Sequence, residues 1–273
     1  MADIKAADVA KLRKVTGAGM MDCKAALKET EGDFDKAIEV IRKKGQAVAN
    51  KRADREASEG SVQAKVEGNF GALVSLNCET DFVAKNENFE KFAASILDLA
   101  IAEKPADLEA LLASSLDGKT VAESIVDQTG MIGEKLELGF YGSITAEKVQ
   151  AYNHPGNNLA TLVGFNKTEV SEQVAKDVAM QVAAMAPVAV DESNVPEETI
   201  EREKRIGREK ALQEGKPENI VDRIAEGMVK KFLKEATLLN QEFTKDSKKT
   251  VREYIQSSDK DLTVTSFVRF AVK

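Results

Sequence analysis

Two stretches of this chain repeat one another at a fixed spacing: Leu73-Val74 with Leu76-Asn77, and Leu162-Val163 with Phe165-Asn166, lie 89 residues apart. Each is a short apolar run that leads into a segment with helical spacing, so whatever unit the first run builds, the second is expected to build again. Duplication constrains the fold more than any single motif, because it calls for two strand-to-helix units of one plan. It also marks where the copies differ. After its apolar run the first copy reads ETDFVAKNENFEKF at 79–92, whereas the second reads KTEVSEQVAKDV at 167–178 and has no Asp-Phe pair. A fold made twice does not require a segment that occurs once.

The surrounding pattern supports an α+β chain with antiparallel sheets. From Ser61 the period is two, through Val62, Ala64 and Val66, a turn at 68–71, then Leu73-Val74 and Leu76. A helix is expected from Phe82 to about Ala100. In the second half Leu136, Leu138, Phe140 and Ile144 suggest strands of the second copy, residues 155–158 a turn, and Val170 to Met185 a helix. The first 45 residues read as a compact module of three short helices. Val9, Leu12 and Val15 share one face, which TGAG at 16–19 ends; Met21, Ala25 and Leu27 form the second; Phe34, Ala37, Ile38 and Ile41 form the third, which is expected to finish before Gly45. Residues 50–59 are charged with almost no apolar face and read as a solvated helix end or a linker. Late in the chain, Glu197 to Leu212 and Asn219 to Leu238 read as an antiparallel helical hairpin joined by residues 214–217, with Ile220, Ile224, Met228 and Phe232 recurring every four residues. Residues 262–272 alternate as a closing strand expected to join one of the sheets. The division expected is an N-terminal module at 1–46, a linker at 47–60, core subdomains at 61–135 and at 136–188 with 239–273, and the hairpin inserted at 189–238.

Composition excludes several kinds of function. No apolar run approaches the roughly 18 residues of a membrane span, and the charged start MADIKAADVAKLRK lacks the apolar core of a secretory signal, so a cytosolic protein is expected. A net charge of −7 argues against sequence-independent affinity for nucleic acid, which depends on Lys and Arg neutralising phosphates. Nucleophilic catalysis needs a base, and the single histidine, His154, lies in a turn-like segment while Cys23 and Cys78 sit in no nucleophile motif. One histidine leaves no His-rich metal site, and Gly17-Ala-Gly19 lacks the Lys-Ser/Thr of a phosphate-cradling loop. No cofactor is expected, and a protein partner fits the composition better than RNA or DNA.

The segment TDFVAKN at 80–86 has two readings. Phe82, Val83 and Ala84 could begin the apolar face that Phe89, Phe92 and Ile96 continue, with Thr80 or Asp81 as the N-cap. Alternatively, the acid and the aromatic form an anionic tip with an apolar wedge that enters another protein. Its absence from the second copy favours the wedge. Met20 and Met21 are open in the same way, between core packing of the small module and contact with a partner.

TGAGMMDCKAAL at 16–27, NCETDFVAKNENF at 77–89, GEKLEL at 133–138, and GKPENI with KKFLKEATLL within 215–239 occur in this order over nearly the whole chain. Together they resemble the bacterial elongation factor Ts family. The resemblance implies a guanine-nucleotide exchange factor for the GTPase elongation factor Tu, acting in translation elongation with no chemical catalysis of its own. It implies a UBA-like N-terminal domain, two related core subdomains and a helical hairpin, which is a candidate for self-association. It implies further that Asp81 and Phe82, with the flanking Thr80 and Val83, intrude beside the magnesium and nucleotide site of the GTPase. Arg13, Met20, Met21 and Lys24 would grip the nucleotide-binding domain, and His154 would contact another domain of the same partner.

Departures from the family pattern temper these expectations. Gly139-Phe140-Tyr141 stands where Arg-Arg is common, PGNN at 155–158 replaces a glycine-rich loop, and a further C-terminal helix seen in some relatives is not expected in a chain ending at Lys273. Two rivals remain at this stage. One is a nucleic-acid or ribosome-binding module, suggested by Arg42-Lys43-Lys44 and Lys230-Lys231; the other is a thiol hydrolase using Cys78 and His154.

Overall fold

The structure, a computed structural model, describes residues 4–272. The first three residues of the charged N-terminus and Lys273 lie outside the described residues. Helices α1 (Ala6–Thr16), α2 (Met20–Glu29) and α3 (Phe34–Arg52) form the N-terminal module. Its core is Val9, Leu12, Ala18, Cys23, Ala26, Leu27 and Ala37. α1 stops at Gly17, whose φ of 70° is the left-handed cap that favours glycine, and α3 starts where the Asp33 carboxylate accepts from the Lys36 N–H. The apolar faces read from sequence are corrected in part. Val15, Met21 and Ala25 are exposed, and α2 buries Cys23, Ala26 and Leu27 instead.

The core begins with β1 (Glu59–Glu67) and β2 (Phe70–Cys78), then α4 (Asp81–Ala84), α5 (Glu87–Glu103), α6 (Leu108–Ala113), the short pair β3 (Ser115–Leu116) and β4 (Lys119–Thr120), α7 (Val121–Ile132) and β5 (Glu137–Thr145). A second hairpin, β6 (Lys148–Asn153) and β7 (Leu159–Phe165), leads to α8 (Glu172–Met185). The helical hairpin follows as α9 (Glu197–Gln213) and α10 (Glu218–Ala236), and then β8 (Glu242–Phe243), β9 (Asp246–Thr250), α11 (Val251–Gln256) and β10 (Val264–Ala271).

Two antiparallel sheets share one plan, in the orders β1-β2-β5 and β6-β7-β10. Leu73 of β2 stands opposite Gly142 of β5, and its repeat mate Leu162 of β7 stands opposite Val268 of β10. The duplication is therefore structural, but one assignment changes. Leu138, Phe140 and Ile144 lie in β5, which completes the first sheet rather than opening the second copy; the equivalent third strand of the second sheet is the closing strand β10. The cause is burial: β2 and β7 are covered along almost their whole length, and each such central strand must find hydrogen-bond partners on both edges.

The sheets pack face to face through Val62, Ala64 and Leu73 on one side and Val149, Ala160 and Leu162 on the other. Phe140 and Phe270 stack across this layer with centroids 4.4 Å apart. On the outer faces α5 covers the first sheet with Phe89, Ala93, Ile96 and Leu97, and α8 covers the second with Val174, Val178 and Val182. The layers run helix, sheet, sheet, helix.

Three further expectations are revised. The helix from Phe82 to Ala100 is broken at Asn86, whose side chain accepts from the Asn88 N–H and caps α5 anew. α3 does not finish before Gly45 but continues to Arg52, because Gly45 is a contact point rather than a stop. It meets Gly130 of α7, where a Cβ added to Gly130 would lie 2.5 Å from the Gly45 Cα. In the helical hairpin the buried seam is Val221, Ala225 and Val229, one residue along from the stripe read in the sequence; Ile220 is exposed and Ile224, Met228 and Phe232 are half-covered. Gly207 of α9 selects that seam by admitting Ala225, whose Cα would lie 3.1 Å from a Cβ at Gly207. Among the described residues no helix is long and apolar enough to cross a membrane.

Candidate functional site

The chain leaves β2 at Cys78 and turns at once into α4, a helix of four residues. So short a helix is not self-supporting in water, and its conformation depends on what anchors its ends. Thr80 is the N-cap, accepting from the Val83 N–H at 3.5 Å, and its own N–H and hydroxyl donate to Glu134 at 3.1 and 2.7 Å. Val83 and Ala84 are half-buried against the first core, next to Cys78 and Phe89. These contacts leave Phe82 pointing away. Its side chain is 84% exposed, the most exposed large apolar residue among those described.

Asp81 stands beside it, half-exposed, with Lys85 Nζ 2.7 Å from its carboxylate. The hydrogen bond from Lys85 holds the Asp81 carboxyl below its ordinary range, so Asp81 is ionised at neutral pH as one half of an ion pair. Thr80 caps and Val83 packs, as the helical reading expects, while Asp81 and Phe82 form a tip on the surface, one ionised and the other apolar.

The N-terminal candidates are exposed on α1 and α2. Met20 and Met21 are 59% and 79% exposed at the start of α2, and Val15, Arg13 and Lys24 are exposed with them. Core packing of these methionines is excluded by that geometry. His154 lies at the β6–β7 turn of the other sheet, exposed, with its Nδ1 3.0 Å from the Tyr152 hydroxyl. The candidates therefore stand on separate elements, α1 and α2, α4 and the β6–β7 turn, and none of them lines the cavity bounded by Gln63, Glu90 and Asn157. Exposed residues on several elements suit the binding of a large partner at several points better than the enclosure of a small substrate.

The rival chemistries lose their footing. Cys78 is buried and donates to the Thr80 carbonyl at 3.2 Å, while His154 is paired with Tyr152, so no thiol-imidazole pair forms. Burial, with the charge of Glu134 nearby, pushes the Cys78 thiol up to about 12, which is the opposite of nucleophile activation. Cys23 is likewise buried, against Thr16 and the Ala18 carbonyl. Among the described residues no three His, Cys, Asp or Glu side chains converge as a metal site. Of the basic clusters, Lys44 pairs with Asp22 and Lys231 lies 3.7 Å from Glu235, and the net charge of −7 counts against a general affinity for phosphates.

Sequence reasoning did not single out the residues that hold the tip in place, Glu79 and Glu134. Both stood inside the family motifs, but nothing local shows that Glu134 meets Thr80 across 54 residues of chain, or that Glu79 meets Lys135 across 56. Gly139, expected to weaken a contact, has a structural use: it sits at a bulge in β5 where a Cβ would lie 2.6 Å from the Asn77 amide, which in turn donates to the Ala57 carbonyl.

A family profile described as Elongation factor TS matches residues 79–273. The chain is 54% identical over 266 residues to elongation factor Ts of Porphyromonas gingivalis, covering 97% of both chains. It is 51% identical over 262 residues to that of Azobacteroides pseudotrichonymphae, covering 96% of both, and 48% identical over 275 positions to that of Christiangramia forsetii, covering 100% of both.

Proposed function

The chain belongs to the elongation factor Ts family, and from that premise we propose how its surface releases GDP from elongation factor Tu. Members are exchange factors rather than enzymes, and this chain is a nucleotide-exchange factor for elongation factor Tu, working in the cytoplasm. Phe82 enters the GTPase beside its nucleotide site and displaces packed elements there, because cores rearrange in discrete steps rather than stretch. Asp81 brings negative charge to the Mg²⁺ region and disturbs the ligation of the largest charge in that site. Arg13, Met20, Met21 and Lys24 hold the nucleotide-binding domain, and His154 holds a second domain. These contacts supply the binding energy that the strained complex consumes.

Exchange requires that factor and nucleotide weaken each other's binding by equal factors. Each tenfold acceleration of release requires about 1.4 kcal/mol of barrier lowering, so several decades require several kcal/mol applied at one place. The observation that carries this assignment is the exposure of Phe82 on a turn anchored at both ends: an aromatic side chain with no partner in its own chain, next to a carboxylate kept ionised.

The role of Asp81 is tested by its dependence on magnesium. Asp81→Asn should accelerate GDP release less than wild type at millimolar Mg²⁺, and the difference should vanish once Mg²⁺ is chelated. A deficit of the same size with and without Mg²⁺ would remove Asp81 from the metal region. A homo-oligomer through the hairpin would bury Ile206, Leu212 and Ile220, all exposed in this chain; sedimentation of Leu212→Glu beside wild type tests for it.

A further inference from the structure

Residues 133–135 begin the GEKLEL stretch, which neither the wedge nor the partner-gripping residues use. They cross against residues 79–80 in a reciprocal arrangement. Glu79 Oε1 accepts from the Lys135 backbone N–H at 2.6 Å. One residue away on each chain segment, Glu134 accepts from the Thr80 backbone N–H at 3.1 Å and from its hydroxyl at 2.7 Å. Each segment thus lends a carboxylate to the main chain of the other. Gly133 makes the crossing reachable: it ends α7 at φ 80°, a conformation that side chains resist.

The same clamp extends to the N-terminal module. Arg52, the last residue of α3, donates from Nη1 to Glu79 Oε1 at 2.6 Å, and Arg55 stands 3.9 Å from the other oxygen. The Glu79 side chain is 12% exposed, so these charge-assisted bonds are partly shielded from water. The Lys135 N–H, then Arg52 and Arg55, keep its carboxyl below the usual range.

Geometry also fixes what Glu134 controls. By taking the Thr80 hydroxyl hydrogen, it turns the Thr80 oxygen lone pairs toward the Val83 N–H, which is the cap of the turn that bears Asp81 and Phe82. A wedge transmits force only when its base does not yield, and a four-residue helix has no rigidity of its own.

We infer that Glu134 and Glu79 are positioning residues for exchange: a reciprocal carboxylate-to-backbone clamp that holds the Asp81–Phe82 turn rigid on the core and, through Arg52, in register with the N-terminal module. This rests on Phe82 acting as the wedge. The clamp adds no contact with the partner, so it affects how fast the bound complex loses nucleotide and leaves the strength of docking alone.

The test is stopped-flow release of a fluorescent GDP from elongation factor Tu over a range of factor concentrations. Wild type is compared with Glu134→Ala, Glu134→Gln, Phe82→Ala and the Glu134→Ala/Phe82→Ala double variant, with folding checked by circular dichroism. Glu134→Ala should lower the release rate at saturation by about tenfold, the effect of about 1.4 kcal/mol, with the half-saturating concentration unchanged. Glu134→Gln should fall between, since one amide oxygen replaces two carboxylate oxygens, and it carries the comparison should the alanine variant not fold. In the Phe82→Ala background Glu134→Ala should cost less than it does alone, because only the Asp81 contribution is left to lose. A loss seen only in the half-saturating concentration, or a full further loss of about tenfold in the double variant, overturns the clamp. Slow release with Phe82→Ala but wild-type speed with both Glu134 variants overturns the clamp and leaves the wedge standing. Wild-type speed with Phe82→Ala overturns the wedge, and the clamp with it.

Discussion

At the crossing of α3 and α7 two glycines face each other, and the same substitution should have opposite effects on them. A Cβ at Gly130 would lie 2.5 Å from the Gly45 Cα and 3.5 Å from its carbonyl carbon, both backbone atoms that cannot rotate aside. A Cβ at Gly45 would lie 3.7 Å from the Gly130 Cα and 3.8 Å from the Val126 carbonyl oxygen, which is ordinary contact. Replacing glycine by alanine inside a helix gains about 1 kcal/mol of propensity at either site. At Gly45 nothing opposes that gain, and Gly45→Ala should stabilise by up to about 1 kcal/mol. At Gly130 the helices must separate, an overpacking cost of about 1–3 kcal/mol that offsets the gain or exceeds it by as much as about 2 kcal/mol. For a chain of this size each kcal/mol moves the Tm by roughly 2–4 °C, so the two variants should differ by several degrees. Thermal and urea unfolding followed by circular dichroism measure this. Equal Tm values for the two, or Gly130→Ala more stable than Gly45→Ala, would refute the close approach of the helices.

Other expectations concern buried chemistry and the surface of the N-terminal module. Asp177 is 4% exposed in α8 and accepts from Gln173, Lys245 and Tyr254. Burial alone would raise its carboxyl, but the hydrogen bonds from Lys245, Tyr254 and Gln173 together hold it below its usual value. Because the folded pKa is depressed, the stabilisation is present above the unfolded value near 4 and is lost as pH falls through the folded one. Asp177→Asn should therefore cost about 1.5–3 kcal/mol at pH 7 and flatten the acid limb of a stability profile; an unchanged limb would count against the network. Cys78 should resist a thiol reagent at neutral pH until denaturant is added, with exchange activity intact; rapid labelling of the native chain would contradict its burial. Met20→Ala and Met21→Ala should each change stability by under about 0.5 kcal/mol and weaken binding to elongation factor Tu in a titration. Unchanged affinity would remove them from the interface.

The two-fold repeat was legible because β2 and β7 are buried centre strands, and a strand covered on both faces must carry an apolar run wherever it recurs. Their outer partners were not, since β5 and β10 pair across long stretches of chain and their own patterns name no neighbour. Gly45 was misread for a similar reason. A glycine that ends a helix and a glycine that lets another helix approach look alike in sequence, and only the presence of Gly130 decides between them. In α10 two apolar stripes lie one residue apart, and the small Gly207 on α9 picks the seam through Val221 and Ala225. At the site, Asp81 and Phe82 stood out because the second copy lacks them. Glu79 and Glu134 did not, because a carboxylate that serves a distant backbone N–H leaves no local pattern.

The wedge itself is tested most directly by one number: the saturating rate of GDP release from elongation factor Tu with Phe82→Ala, relative to wild type, at matched folding. Phe82 is exposed, so the variant should unfold at the wild-type temperature while the rate falls by at least about tenfold, the loss of about 1.4 kcal/mol of barrier lowering. A folded Phe82→Ala protein that releases GDP as fast as wild type would show that the exposed aromatic is not what opens the nucleotide site.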